Sequence, residues 1–304
     1  MKSDEITLHR GLQGVYFDRT TTTFIDGKKG VLEYRGYNIH DLAEHSTFEE
    51  TAYLLIYGNL PTKVQLHEFD SELKAARELP EKILDVIDLV KDSHPMDVLR
   101  TAVSALASFD SDRGDNSLEA TIHKGNRLTS QVPEIVMAHH AIRRGKDPIK
   151  PRATLSHAAN FLYMLEGNEP SVDAANLMDK DFVLHADHGS NASAFTARTV
   201  AGTAADIHSS ITAGIAALSG PSHGGAAENV MQMAKEIGKP ENAADYVRNL
   251  LSSRQRVMGF GHRVYKAEDP RARHLREGVK KLSDAMGQSE WYQILEGVVD
   301  AMKP

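Results

Sequence analysis

From residue 46 onward, apolar residues recur at every third or fourth position, the spacing that lines up one face of a helix. Ser46-Thr47 followed by Glu49 and Glu50 has the form of a capping box, and Tyr53, Leu54 and Tyr57 continue the stripe until Gly58 and Pro61 stop it. The pattern predicts a second helix over 63–79. Pro80 opens a third, with Ile83, Val86, Ile87 and Val90 on one face, and Pro95 opens a fourth through Leu99, Ala102, Val103, Leu106 and Phe109. Further helices are predicted near 118–129, 133–144, 152–165 and 171–182. Only residues 14–37 read as β-structure: 20–25 and 31–34 flank the turn 26–30 and predict a small hairpin or arm. The expected fold is therefore all-α with a small N-terminal β-hairpin.

Between 191 and 217 the composition changes, with 18 of 27 residues Ala, Gly, Ser or Thr. Small side chains let helix axes approach closely, which predicts a buried helix or kinked pair, serving either as a monomer core or as a subunit interface. After Gly220 the helices shorten and become more basic. That shift predicts two domains, 1–220 and 221–304, with residues 219–221 at the boundary and His223 in the cleft between them, a usual place for a ligand.

Length and charge narrow the possible functions. At 304 residues with 41% hydrophobic content, the chain can bury a substantial core. A net charge of −7 argues against general nucleic-acid binding. The absence of cysteine excludes disulfides, thiol catalysis and cysteine metal sites. The start, Met1-Lys-Ser-Asp-Glu-Ile, shows neither a secretory nor an Arg-rich transit signal, and no apolar run reaches the roughly 18 residues of a membrane span. The expected compartment is the cytoplasm.

Three segments carry candidate chemistry. In Leu218-Ser-Gly-Pro-Ser-His-Gly-Gly-Ala-Ala-Glu228, Gly220 and Pro221 end a helical pattern and Gly224-Gly225 bare the backbone beside His223. Leu184-His-Ala-Asp-His-Gly-Ser-Asn-Ala-Ser-Ala-Phe195 places His185 and His188 at i and i+3. With His208 or His223 these would suit a metal site, as in a metal-dependent hydrolase or a metal-binding module, but that reading leaves the Asn-Ala-Ser continuation unexplained. The third segment runs from Met258 to Arg271. From Arg254 to Lys281 there are nine Lys or Arg against three Asp or Glu, a local excess suited to a polyanion inside an acidic protein. For Arg273, Arg276, Lys280 and Lys281 the alternative is a solvated basic face, and for Asp269-Pro-Arg271 it is a salt-bridged helix start.

Taken together, the three segments resemble the citrate synthase family, in which H-x-D-H-x-x-N-A-S, G-P-x-H-G-G-A-x-E and G-[FY]-G-H…D-P-R segments follow in this order. The resemblance extends to Gly30-Val-Leu-Glu-Tyr-Arg-Gly-Tyr37, 47–55 and 96–103. It implies a two-domain, multi-helical, dimeric acyltransferase that condenses acetyl-CoA with oxaloacetate and needs no metal or further cofactor. By resemblance, His223 bonds the thioester oxygen as the enol forms. His262 donates to the keto carbonyl and later assists hydrolysis of citryl-CoA. His188 binds oxaloacetate, and Arg271 grips one of its carboxylates with a planar fork. The coenzyme adenine would lie on the backbone of Val257, Met258, Gly259, Phe260 and Gly261, with Lys266 on a phosphate. The same motifs occur in 2-methylcitrate synthases, which use propionyl-CoA. The family's enolising aspartate lies in a downstream N-V-D-F-Y-S-G segment, beyond Pro304. Asp269 and Asp300 are poor substitutes, so the chain alone is expected to bind weakly and condense poorly.

Overall fold

The computed structural model describes Val15, residues 18–261 and residues 264–303. A three-stranded antiparallel sheet comes first, β1 (Thr23–Asp26), β2 (Val31–Tyr34) and β3 (Tyr37–Asn38), with Thr23 opposite Tyr34 and Asp26 opposite Val31. The third strand was not anticipated. Arg35 at φ 51° and Gly36 at φ 87° form a two-residue turn whose twist matches that of the strands it joins, and this returns the chain beside β2.

Fourteen α-helices follow among the described residues. They are α1 (Ile39–His45), α2 (Phe48–Tyr57), α3 (Lys63–Ala75), α4 (Glu81–Leu89), α5 (Pro95–Leu106), α6 (Leu118–Ile142) and α7 (His157–Glu166). The chain continues through α8 (Val172–His185), α9 (Ala192–Ala201), α10 (Ile207–Leu218), α11 (Gly225–Ile237), α12 (Ala243–Ser252), α13 (Ala272–Ala285) and α14 (Ser289–Ala301). The capping box at α2 forms in full, with the Glu50 amide donating to Thr47 Oγ1 at 3.3 Å and the Thr47 amide to Glu50 Oε2 at 3.0 Å. Gly58 ends that helix at φ 93°.

Three expectations shift. The helix from 63 ends at Ala75, because Arg77 turns inward, 3% exposed, and donates to the Arg152 and Leu155 carbonyls. Residues 118–142 form one helix rather than two. Pro133 removes one backbone donor, yet Leu128 and Ile135 on either side of it enter the same core, and that burial overrides the break. The seventh helix begins at His157 instead of 152, where Ser156 Oγ accepts from the Ala159 amide and Glu49 Oε1 accepts from the His157 amide.

The core is divided. One cluster joins α4, α5, α6 and α10 through residues such as Ile87, Val103, Ile135 and Ile215, and a second joins β2, α1, α2 and α8 through Leu32, Leu42, Leu54 and Leu184. A third is built from residues 233–298 of α11, α12, α14 and the stretch after α12, through Ile237, Val247, Val257 and Ile294. This third cluster shares no residue with the other two. Helix α13, however, packs on α8: Leu275 joins the second cluster, and a Cβ on Gly278 would stand 2.4 Å from Leu177 Cδ1. No described helix is long and apolar enough to cross a membrane.

Candidate active site

The segment linking α8 to α9 is held on several sides. The Tyr34 hydroxyl donates to the Leu184 carbonyl at 3.1 Å and accepts from the Asp187 amide at 3.3 Å. The Asp187 carboxylate accepts from the Gly189 amide at 3.0 Å and from the Thr23 hydroxyl. Burial of Asp187 raises its pKa, against the pull of the Gly189 and His188 amides. Gly189 turns the chain at φ 62°, and Asn191 then caps α9 by accepting from the Ala194 amide at 3.0 Å. These bonds fix the backbone that carries His188.

This short segment meets both other motifs. His188 Nε2 lies 3.2 Å from the Tyr265 hydroxyl, and the two rings meet edge to face with centroids 5.5 Å apart. Ser193, in the first turn of α9, places its Oγ 2.6 Å from His223 Nε2. His223 sits in the turn between α10 and α11, where its amide donates to the Gly220 carbonyl at 3.0 Å. Gly224 is required there by the chain's own folding: a Cβ would stand 2.6 Å from the Leu218 carbonyl oxygen. The glycine therefore serves close backbone packing.

In the third motif, Asp269 accepts from Arg271 Nε at 2.9 Å, Arg271 Nη2 at 2.6 Å and the Arg271 amide at 3.0 Å, so the salt-bridged helix start is present. Burial acts to raise the Asp269 carboxyl, but the Arg271 hydrogen bonds outweigh it and hold the group below its usual value. Arg271 stands at the head of α13. Burial pushes the Tyr265 phenol up to about 12, with Asp269 reinforcing the shift and Arg271 opposing it. His262 lies outside the described residues.

Of the stretch expected to meet the coenzyme, Val257 is core, 5% exposed, and Met258 packs against the same cluster, whereas Phe260 is open to solvent. Gly259 and Gly261 take φ 84° and 83°, so the local demand for glycine is conformational. The Lys266 side chain is exposed, while its amide donates to the Gly27 carbonyl at 2.7 Å and docks the N-terminal hairpin on this motif.

The metal alternative finds no cluster: among the described residues, no three His, Cys, Asp or Glu side chains group as ligands. His185 Nδ1 lies 2.9 Å from the Asp181 carbonyl oxygen on its own helix, and the buried His208 lies beside Asp110 and Asp206. Asp300 is exposed and paired with Lys303 at 2.7 Å. A cavity of about 430 Å³ lined by Thr47, Lys63, His67 and Ser156 touches none of the motifs. The residues that sequence reasoning passed over are Tyr34, Ser193 and Tyr265. All three fall inside the quoted segments, so their position was the available signal.

The family described as "Citrate synthase, C-terminal domain" matches residues 11–304. A citrate synthase of Deinococcus radiodurans is 45% identical over 95% of this chain and 77% of its own length. A 2-methylcitrate synthase of Corynebacterium glutamicum is 39% identical over 97% of this chain and 79% of its own. Among solved structures, the citrate synthase of Thermoplasma acidophilum, in ternary complex with carboxymethyl coenzyme A and oxaloacetate, superposes with a TM-score of 0.91 at 30% identity over 97% of this chain and 78% of that one. The citrate synthase of Pyrobaculum aerophilum gives 0.89 at 39% identity over 96% of this chain and 74% of that one. With the three motifs gathered around one loop, and likeness of this extent in both sequence and fold, the chain belongs to the citrate synthase family.

Proposed function

We propose that the site condenses acetyl-CoA with oxaloacetate, and that His188 and Arg271 bind the keto acid. His223 stabilises the enol oxygen formed from the thioester, and His262 polarises the keto carbonyl. The supporting observation is that the segment 187–193 bonds both to Tyr265, in the motif of Arg271, and to His223. A neutral or protonated imidazole can donate to an oxygen on which charge develops, and a guanidinium can meet a carboxylate through two bonds. The coenzyme lies along the backbone of 257–261 with Lys266 on a phosphate. Acetyl is preferred to propionyl because the citrate synthase relative is the more similar, at 45% against 39% identity. The preference rests on one methylene, worth about 1–3 kcal/mol.

The boundary between the two units runs through 219–221, and α13 is the strut between them, since it packs on both α8 and α14. A dianion held by His188 and Arg271 would draw the units together and complete the coenzyme surface. Oxaloacetate should then tighten coenzyme binding by roughly 5- to 150-fold, the usual range of coupling between sites. Calorimetric titration of acetyl-CoA with and without oxaloacetate measures this, and equal affinities would sink the reading.

We also infer a homodimer built on α9 and α10. None of the ten residues of α9 is buried in the single chain, despite its small, apolar-rich sequence. Helices of this kind are covered when a second copy packs on them. Sedimentation equilibrium should give twice the chain mass, and a monomer at micromolar concentration would contradict it.

A further inference from the structure

We propose that Tyr265 is a positioning residue: its hydroxyl fixes the ring orientation and tautomer of His188 for the keto acid. This rests on the assignment of His188 to that ligand. Tyr265 is 4% exposed, so its phenol is not exchanging partners freely with water. Its oxygen lies 3.2 Å from His188 Nε2, and the rings pack edge to face at 70°. An imidazole held through Nε2 cannot swing about its side-chain torsion without breaking that bond. The bond also ties the ring's proton to the phenol: when the hydroxyl donates, the imidazole proton resides on Nδ1.

The phenol suits this task because it stays uncharged. Its ionisation is pushed up to about 12 by burial, with Asp269 adding to the shift, so around neutral pH it holds its proton. The surrounding chain keeps it in place. The next residue, Lys266, is tied through its amide to the Gly27 carbonyl at 2.7 Å, and Asp269 and Arg271 follow in the same motif, locked to each other. The opposite side of the His188 segment is held by Tyr34, through Leu184 and Asp187. One tyrosine therefore orients the backbone of the loop and the other its imidazole.

Tyr265→Phe keeps the edge-to-face packing and removes only the hydroxyl. Oxaloacetate binding, read by calorimetry, should weaken by about three- to tenfold, the scale of one neutral hydrogen bond. Coenzyme binding without oxaloacetate should not change. The His188 imidazole ¹⁵N resonances, assigned by their loss in His188→Gln, should move towards the shifts of exchanging tautomers. Unchanged oxaloacetate binding in Tyr265→Phe, with weakened binding in His188→Gln, would overturn the positioning role and leave the site reading standing. Unchanged binding in His188→Gln would overturn the site reading itself. Should Tyr265→Phe fail to fold, the wild-type spectrum decides: a single His188 tautomer between pH 6 and 8 supports the proposal, and an averaged one overturns it.

Discussion

Replacing Arg271 with lysine should raise the dissociation constant for oxaloacetate by roughly 30- to 1,000-fold, or about 2–4 kcal/mol. The charge survives this substitution but the planar fork does not. In the structure Nε and Nη2 are both engaged by Asp269, at 2.9 and 2.6 Å, which holds the guanidinium in one orientation. A keto-acid carboxylate therefore meets a donor already oriented, at the head of α13. Lysine is a flexible point charge and can replace at most one of those directed bonds. It can still neutralise the half-buried Asp269, so the thermal midpoint should fall much less than binding does. Titration calorimetry checks the result, and a dissociation constant within threefold of wild type would remove Arg271 from the keto-acid site.

Gly27→Ala should destabilise the chain by about 1–3 kcal/mol, the usual cost of forcing extra volume into a packed contact. A Cβ at Gly27 would stand 2.1 Å from the Val264 carbonyl oxygen and 2.7 Å from its carbon, and both are backbone atoms that no rotamer change can move aside. Relief requires the hairpin turn to lift, which stretches or breaks the 2.7 Å bond from the Lys266 amide to the Gly27 carbonyl. The displaced segment holds Tyr265 and leads into Asp269 and Arg271, so keto-acid affinity should fall together with stability. Thermal unfolding and oxaloacetate titration on the same variant test this. A midpoint within about 1 °C of wild type and unchanged affinity would show that the hairpin is not coupled to the site.

Much of the helical framework was legible because its signals are local. Thr47 and Glu50 cap α2 as their spacing implies, Gly58 ends it, and the apolar faces of α4 and α5 enter the core through Ile87 and Val103. The order of three short motifs was sufficient to indicate the family, since each carries its residues within about a dozen positions. The hairpin was readable as strands, but its docking on the third motif was not. Gly27 looks like any turn glycine until the Val264 carbonyl is placed against it.

The sequence by itself thus determined where helices begin and end wherever caps and glycines decide the matter, and which histidines and arginines to examine. Tertiary structure decided that α6 runs through Pro133, that Arg77 turns inward and cuts α3 short, and that α13 packs on α8 although it lies in sequence between α12 and α14, which share the third core cluster. It also paired His188 with Tyr265 across 77 positions and His223 with Ser193 across 30. The reason is physical: capping and periodicity depend on atoms a turn or two apart along one chain segment. A buried contact between distant segments depends on which surfaces the whole core brings together, and it can override a local preference worth only a few kcal/mol.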